Sequence, residues 1–154
     1  ESSGILKKAR HYGIENYFIC HKNKKRGVFD FEMSQILENK KIDLILLIGF
    51  MRILSPGFVD RWDGKIINVH PSLLPKYAGG MNNDVHESVL AAGDKETGCT
   101  IHLVTKEVDG GPILLQKSCP VFENDSVESL KERVQELEGK AFIEVINNWS
   151  NYGY

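Results

Sequence analysis

The chain has 154 residues, 42% of them hydrophobic, and 19 basic against 21 acidic side chains leave a formal charge of -2. This length suits one sizeable core and is short for two, so we expect a single domain over residues 1–154. The near-neutral charge gives no reason to expect nucleic acid or an anionic membrane as partner. No apolar run approaches the roughly 20 residues that a membrane helix needs. We therefore expect a cytoplasmic protein, a monomer or homodimer, that acts on small molecules.

The cysteines carry no recognisable metal or disulfide pattern. Cys20, Cys99 and Cys119 are odd in number and widely spaced, which fits neither a disulfide framework nor a Cys-x-x-Cys metal site. Because each has apolar neighbours, we predict three buried structural thiols in a reducing compartment.

Helical and strand patterns alternate along most of the chain. The first part of the chain is predicted to form a helix from Ser3 to Arg10, a strand at Tyr17–Cys20, a solvated basic loop at 21–27 and a helix from Phe29 to Lys40. A buried strand at 43–49, a short helix at Gly57–Arg61, a strand at Lys65–His70 and a loop to residue 83 are predicted to follow. The last part is predicted to form a helix from Asp84 to Gly93, strands at Thr100–Thr105 and Ile113–Val121, and a long helix from Asp125 or Ser126 toward Trp149. This order predicts a Rossmann-like α/β fold: an open, mostly parallel sheet with helices on both faces and a late antiparallel strand pair. Ligands of such sheets bind beyond the carboxyl ends of the strands.

Two polar side chains mark the end of the strand at Lys65–His70. Asn68 and His70 are two residues apart, so both point to the same side of the strand. Converging donors of this kind can stabilise the oxyanion of an acyl-transfer intermediate, and losing one typically costs about 3 kcal/mol of barrier. A polar strand end in contact with solvent explains the spacing equally well.

A second polar pair and an aspartate follow later in the chain. Thr100 and His102 repeat the same spacing, and Asp109 lies in the turn Val108–Pro112. A tight turn could bring the Asp109 carboxylate back toward that polar face, although turn aspartates commonly bond their own backbone. Beside His70, the carboxylate would favour the imidazolium.

Other familiar sites are incomplete. His86-Glu87 lacks the second histidine of a His-Glu-x-x-His zinc helix, so no metal is expected. Gly93–Thr100 has Cys99 where a phosphate loop needs lysine, and the chain has no Gly-x-Gly-x-x-Gly fingerprint for a nicotinamide cofactor.

Three segments together resemble the folate-dependent formyltransferases, in particular the branch that formylates glycinamide ribonucleotide in purine synthesis. They are Gly49–Pro56, with the sequence GFMRILSP, Asn68–Tyr77, with NVHPSLLPKY, and Val108–Pro112, with VDGGP. The match covers essentially the whole chain and keeps the order and spacing of the motifs.

The resemblance implies a catalytic trio of Asn68, His70 and Asp109, with Thr100 and His102 supporting Asp109. It implies that 10-formyltetrahydrofolate is the co-substrate and that no metal takes part. The folate pocket would be bordered by Met51, Arg52, Ile53, Leu54, Lys106, Glu107 and Val108. Gln135 and Glu138 on the last helix would lie near the nucleotide, although a solvated helix face is the competing interpretation for Glu138.

The family pattern also leaves open points. The family begins with a strand and a glycine-rich loop that binds the substrate phosphate, and nothing before Ser3 corresponds to either, so we expect an amino-terminally incomplete domain. Gly79 and Gly80 are expected hinges of a loop that extends to His86, which stays unassigned.

The alternative functions are those of a formyltetrahydrofolate hydrolase, a methionyl-tRNA formyltransferase and a truncated, non-catalytic remnant that binds folate or a partner. The tRNA enzyme would need a positive surface that a chain of charge -2 lacks.

Overall fold

The computed structural model describes residues 3–79 and 84–153. It divides into two compact units, Glu1–Lys41 and Ile42–Tyr154. The first unit contains the helices α1 (Gly4–His11) and α2 (Arg26–Asn39). The second contains β1 (Ile45–Leu47), α3 (Pro56–Arg61), β2 (Ile66–His70), α4 (Val85–Ala91), β3 (Glu96–Leu103), β4 (Ile113–Pro120), α5 (Val127–Asn147) and a final 3-10 turn (Trp149–Tyr152). The prediction of a single domain stays a prediction. Within these described ranges, no helix is long and apolar enough to cross a membrane.

The segment between α1 and α2 differs from its prediction. Residues 12–25 contain neither helix nor strand, so the predicted strand at Tyr17–Cys20 is wrong. A short apolar run becomes a strand only when another strand completes its hydrogen bonds. Phe18 is 58% exposed, and Cys20 is exposed with it. The prediction of a buried thiol therefore fails at Cys20 and is confirmed at Cys99 and Cys119.

The four strands form one open mixed sheet in the order β1-β2-β3-β4. β1 and β2 are parallel, whereas β2–β3 and β3–β4 are antiparallel. The predicted α/β class is confirmed, and the late antiparallel pair β3–β4 is present. A mostly parallel sheet is wrong for these strands, because the chain between β2 and β3 returns with β3 reversed. A helix between two strands does not fix their relative direction when the connection is this long.

One face of the sheet is covered by α5. The apolar residues of β2 and β3 that alternate toward this face, Ile67, Cys99 and Ile101, are fully buried in a cluster with Val134 and Val145 of α5. Burying such an aliphatic side chain contributes roughly 1.5–3 kcal/mol. Because side chains alternate along a strand, this packing turns Asn68, His70, Thr100 and His102 to the opposite face.

Local signals define the ends of the helices that surround the sheet. Ser55 accepts a hydrogen bond from the Phe58 amide and is followed by Pro56 at the first helical position of α3. Asp84 caps α4 through the His86 amide, and Ser126 forms a reciprocal capping box with Ser129 at the start of α5. These caps satisfy backbone donors that a helix start leaves unpaired. The predicted helices after residue 55 are thus confirmed to within a few residues.

Candidate active site

A cavity of about 490 Å³ opens where β1 and β2 end. This size is typical of small-molecule sites. All the predicted site residues line it except Thr100. The sheet therefore brings together side chains that lie up to 87 positions apart in the sequence, from Met51 to Glu138.

Asn68 and His102 meet on the cavity face of neighbouring strands. They are direct partners in the β2–β3 register, and Asn68 Nδ2 lies 3.3 Å from His102 Nε2. His102 Nδ1 is 2.9 Å from the Leu103 carbonyl oxygen, so this nitrogen carries a proton and donates to that oxygen. The remaining nitrogen, Nε2, faces both the Asn68 amide and the Asp109 carboxylate, whose Oδ1 is 3.6 Å away. The His102 ring thereby fixes the plane of the Asn68 amide.

His70 lies between two acceptors. Its Nδ1 is 3.3 Å from Asp109 Oδ2, and its Nε2 is 2.9 Å from the Tyr77 carbonyl oxygen. Only the doubly protonated ring can donate to both. Burial lowers the pKa of His70 below its ordinary value, although the Asp109 carboxylate and the Tyr77 carbonyl act in the opposite direction. Asp109 thus favours the imidazolium as expected, but the effect of burial on the pKa of His70 is larger.

Asp109 is held by groups distant in sequence. Its Oδ2 accepts a hydrogen bond of 2.8 Å from the Gly79 amide, 30 residues away, rather than from its own turn. The contact with His102 does most to lower the pKa of Asp109, followed by the Gly79 amide and the charge of His70, against the effect of burial. Asp109 has φ 55°, a conformation rare for a residue with a side chain and frequent at active sites. This turn delivers the carboxylate to His70.

The turn after Asp109 leaves no room for a side chain at Gly111. A Cβ built there would lie 1.9 Å from the Leu103 carbonyl oxygen. Since real Cβ atoms never approach backbone so closely, only glycine fits without moving β3. Gly111 of the third motif is therefore required by the close approach of this turn to the sheet.

Thr100 has a different role from the one predicted. Its hydroxyl donates to the Ser72 carbonyl oxygen at 2.7 Å and accepts from the Leu74 amide at 3.0 Å. Gln116 of β4 also donates to this hydroxyl at 2.9 Å. Thr100 therefore fixes the peptide that follows His70, because it is the direct β-sheet partner of His70. Sequence reasoning missed Gln116, whose only signal was its polar character within β4.

The predicted folate residues form two sides of the cavity. Gly49–Leu54 contribute one wall, in which Met51 is 71% exposed and Ile53 46% exposed, while Leu54 is buried. Val108, 44% exposed, lies on the other side beside Lys106 and Glu107. Exposed apolar side chains that line a concave surface commonly mark a binding site for a partly apolar ligand.

The predicted nucleotide residues lie on α5. Gln135 is exposed and Glu138 is half-buried, and both line the cavity. Burial raises the pKa of Glu138 to about 6, against the opposing charge of Lys131. His86, which the sequence left unassigned, is buried on the same cavity, and burial lowers its pKa. Gly79 has φ 73°, a conformation that favours glycine, and Gly80 lies outside the described residues, so their role as hinges stays a prediction.

The chain is similar to known proteins in both sequence and structure. The family model described as "Formyl transferase" matches residues 1–146. The chain is 40% identical over 149 residues to phosphoribosylglycinamide formyltransferase of Haemophilus influenzae, covering 96% of this chain and 68% of that protein. It superposes with a TM-score of 0.92 and 33% identity on the crystal structure of glycinamide ribonucleotide transformylase 1 from Symbiobacterium toebii, covering 98% of this chain and 70% of the other. The chain belongs to the formyl transferase family.

Some relatives are much longer. The chain is 49% identical over 138 residues to the trifunctional purine biosynthetic protein adenosine-3 of Gallus gallus. The match covers 89% of this chain and 14% of that protein.

Proposed function

We propose that this chain transfers a formyl group from 10-formyltetrahydrofolate to the amine of glycinamide ribonucleotide, within purine synthesis. The observation that carries the proposal is the convergence of Asn68, His70 and Asp109 on one cavity that also has exposed apolar walls. The two relatives that match over most of their length are named for glycinamide ribonucleotide formylation.

The three side chains divide the chemistry. The substrate amine forms a bond to the formyl carbon, and the carbonyl oxygen takes up the electron pair as an oxyanion. The Asn68 amide donates a hydrogen bond to that oxygen, and the protonated His70 ring, whose two nitrogens face Asp109 and the Tyr77 carbonyl, stabilises it by its positive charge. The carbon–nitrogen bond to the folate then breaks, and the proton from the attacking amine passes to the folate nitrogen with Asp109 as the relay.

The lowered pKa of His70 is consistent with this role. Burial disfavours the imidazolium, whereas a negative charge on the bound intermediate restores it by direct Coulombic attraction. An interaction that strengthens as the oxyanion develops lowers the barrier more than one already made with the substrate. Asp109 and the Tyr77 carbonyl partly offset the cost of protonating the buried His70.

Absorbance on mixing protein with a 10-formyl folate donor, with and without glycinamide ribonucleotide, tests the proposal. We expect turnover that requires the nucleotide and that falls by about 100-fold or more in His70→Ala. The matched control is Glu144→Gln on α5. This change breaks an ion pair with Lys117 of β4 and should leave turnover unchanged.

The other outcomes are informative. Donor hydrolysis that does not require the nucleotide would identify water as the acceptor, as in a formyltetrahydrofolate hydrolase. No turnover with either acceptor, in a protein that binds the donor, would overturn the catalytic assignment in favour of a folate-binding protein. Normal turnover by a folded His70→Ala variant would remove His70 from the mechanism.

A further inference from the structure

The loop that follows β2 touches both charged partners of the candidate active site. The Tyr77 carbonyl oxygen is 2.9 Å from His70 Nε2, and the Gly79 amide donates to Asp109 Oδ2 at 2.8 Å. The backbone at 77–79 therefore sets the orientation of the imidazole and the carboxylate together. A displacement of this short segment would change both hydrogen bonds.

The backbone there has an unfavourable conformation. Tyr77 has φ 62°, in the left-handed region, where the Cβ atom of an ordinary residue crowds the following carbonyl. Such residues persist when surrounding contacts over-determine them, and they cluster at functional sites. Some contact must therefore hold Tyr77 in place.

Tyr77 packs against the buried cluster of Val85, Val89 and Leu130, and one carboxylate binds its hydroxyl. The Tyr77 hydroxyl donates to Asp94 Oδ2 at 2.7 Å, and Lys76 Nζ lies 2.6 Å and 2.7 Å from the two Asp94 oxygens. The Lys76 ammonium is also 5.3 Å from the centre of the Tyr77 ring. Asp94, in the turn between α4 and β3, thus binds two consecutive side chains of the loop.

The other end of the loop is fixed separately. Thr100 binds the Ser72 carbonyl and the Leu74 amide, so residues 72–74 are fixed to β3. Asp94 fixes residues 76 and 77 from the connection that leads into the same strand. The two attachments leave the Tyr77 carbonyl little freedom to move away from His70.

We propose that Asp94 is a positioning residue: through Lys76 and the Tyr77 hydroxyl, it keeps the Tyr77 carbonyl on His70. Asp94, Lys76 and Tyr77 do not line the cavity, so they act through His70 rather than on the substrate. The effect on rate rests on the proposed function, whereas the effect on His70 does not. An ion pair with a largely exposed lysine contributes little to stability by itself, so the consequences of its loss should be found at His70.

Titration of the His70 ring by nuclear magnetic resonance tests the proposal without substrate. The variants are Tyr77→Phe, which removes only the hydroxyl and changes no charge, and Asp94→Asn. The control is Glu144→Gln, which removes an acidic partner from the surface ion pair with Lys117. The His70 resonance is assigned by its loss in His70→Gln.

We expect the pKa of His70 to fall in Tyr77→Phe and Asp94→Asn and to stay unchanged in Glu144→Gln. The Tyr77 carbonyl raises this pKa, so a carbonyl that drifts away lets burial lower it further. The other charged groups that face His70, Asp109 and His102, are intact in all of these variants. Asp94→Asn also removes a negative charge, which could itself change the pKa of His70. Tyr77→Phe changes no charge, so a lower pKa in that variant is due to the lost hydroxyl contact.

Kinetics supply the second measurement. In both variants we expect kcat to fall about tenfold, because small misplacement of a reacting group is costly. The KM values of both substrates and the thermal midpoint should stay close to those of the parent. A His70 pKa and a kcat equal to the parent values in both variants would overturn the proposal. A lower kcat explained entirely by unfolded protein would also overturn it.

The two proposals fail differently. If the parent protein shows no formyl transfer but its His70 pKa still falls in Tyr77→Phe, the proposed function fails and the positioning role stands. If the parent is active and Tyr77→Phe leaves both kcat and the His70 pKa unchanged, the positioning role alone fails.

Discussion

The Asn68 amide and the His102 imidazole face each other across β2 and β3, with 3.3 Å between Asn68 Nδ2 and His102 Nε2. The same His102 nitrogen is 3.6 Å from Asp109 Oδ1, while the other ring nitrogen is bound to the Leu103 carbonyl. His102 therefore connects the oxyanion donor to the carboxylate that faces His70. Four polar groups of the candidate site are thus linked by contacts of 3.3 to 3.6 Å, so moving one of them should disturb the others.

Replacing Asn68 by Ala should reduce kcat by about 100- to 1,000-fold, since one oxyanion donor is lost. Stability should change little, because Asn68 is only half-buried at a strand end. Steady-state kinetics and thermal unfolding of the same preparation provide the check. Asn68→Asp is the matched variant: it keeps the shape but presents a carboxylate to the oxyanion, so its kcat should be at least as low. A high kcat in Asn68→Asp would mean that Asn68 is not a donor.

Replacing His102 by Phe should lower kcat by about tenfold without a comparable change in KM, because the Asn68 amide loses the partner that orients it. The ring volume is kept, which limits cavity formation in this buried position. His102→Gln, whose amide can restore a partner for Asn68, should recover part of the rate. Equal kcat values in the two variants would indicate that packing, and not the hydrogen bond, is what His102 contributes.

Stability should fall as the pH drops below about 6.5, the ordinary pKa of histidine. His70 and His86 have pKa values lowered by burial in the folded state. The unfolded chain therefore binds protons first, and acid favours unfolding as the pH passes from the unfolded toward the folded pKa. Urea unfolding at pH 7.5 and pH 5.5 measures the slope. Because Glu138, with its raised pKa, contributes a slope of opposite sign, the comparison is made with His86→Asn, which should lose less stability on acidification than the parent. Equal losses in the two proteins would contradict the burial of a neutral His86.

Replacing Glu138 by Gln should stabilise the folded protein at pH 7. Burial raises the pKa of Glu138 to about 6 from an ordinary value of 4.5, so the ionised form is disfavoured in the folded state. The pH dependence of stability therefore has the opposite sign to that of a paired carboxylate, because the destabilisation by Glu138 grows as the pH rises from 4.5 through 6. Removing the charge should raise the free energy of unfolding by about 1 kcal/mol, measured by urea titration.

The same Glu138 variant should bind nucleotide less well. If the carboxylate accepts hydrogen bonds from the substrate, Glu138→Gln raises the KM for the nucleotide and leaves the KM for the folate unchanged. A gain in stability accompanied by a loss of binding is the usual consequence of removing a costly functional group. Glu136→Gln, an exposed position on the same helix, is the control. Unchanged nucleotide KM in Glu138→Gln would leave Glu138 as a solvated helix residue.

Several elements of the fold could be predicted because their signals are local. The caps at Ser55, Asp84 and Ser126 each accept a hydrogen bond from an amide within three residues, so short segments of sequence are enough to predict the helix starts. The pairing of Asn68 with His70 on one face follows from the alternation of side chains along a strand. Where local propensity needed a distant partner strand, as at Tyr17–Cys20, the prediction was wrong.

The sequence by itself determined the α/β class, the helix starts and the shared strand face of Asn68 and His70, since these follow from patterns within short segments, while the roles proposed for Asn68, His70, His102 and Asp109 came from the family resemblance. Only the tertiary structure decided that β2 and β3 are antiparallel, that Thr100 binds the loop after His70, and that Asp109 bonds Gly79. These contacts join residues about 30 positions apart, and their partners are chosen by sheet register and loop path. The lowered pKa of His70 was also decided by the tertiary structure, because burial is a property of the assembled fold.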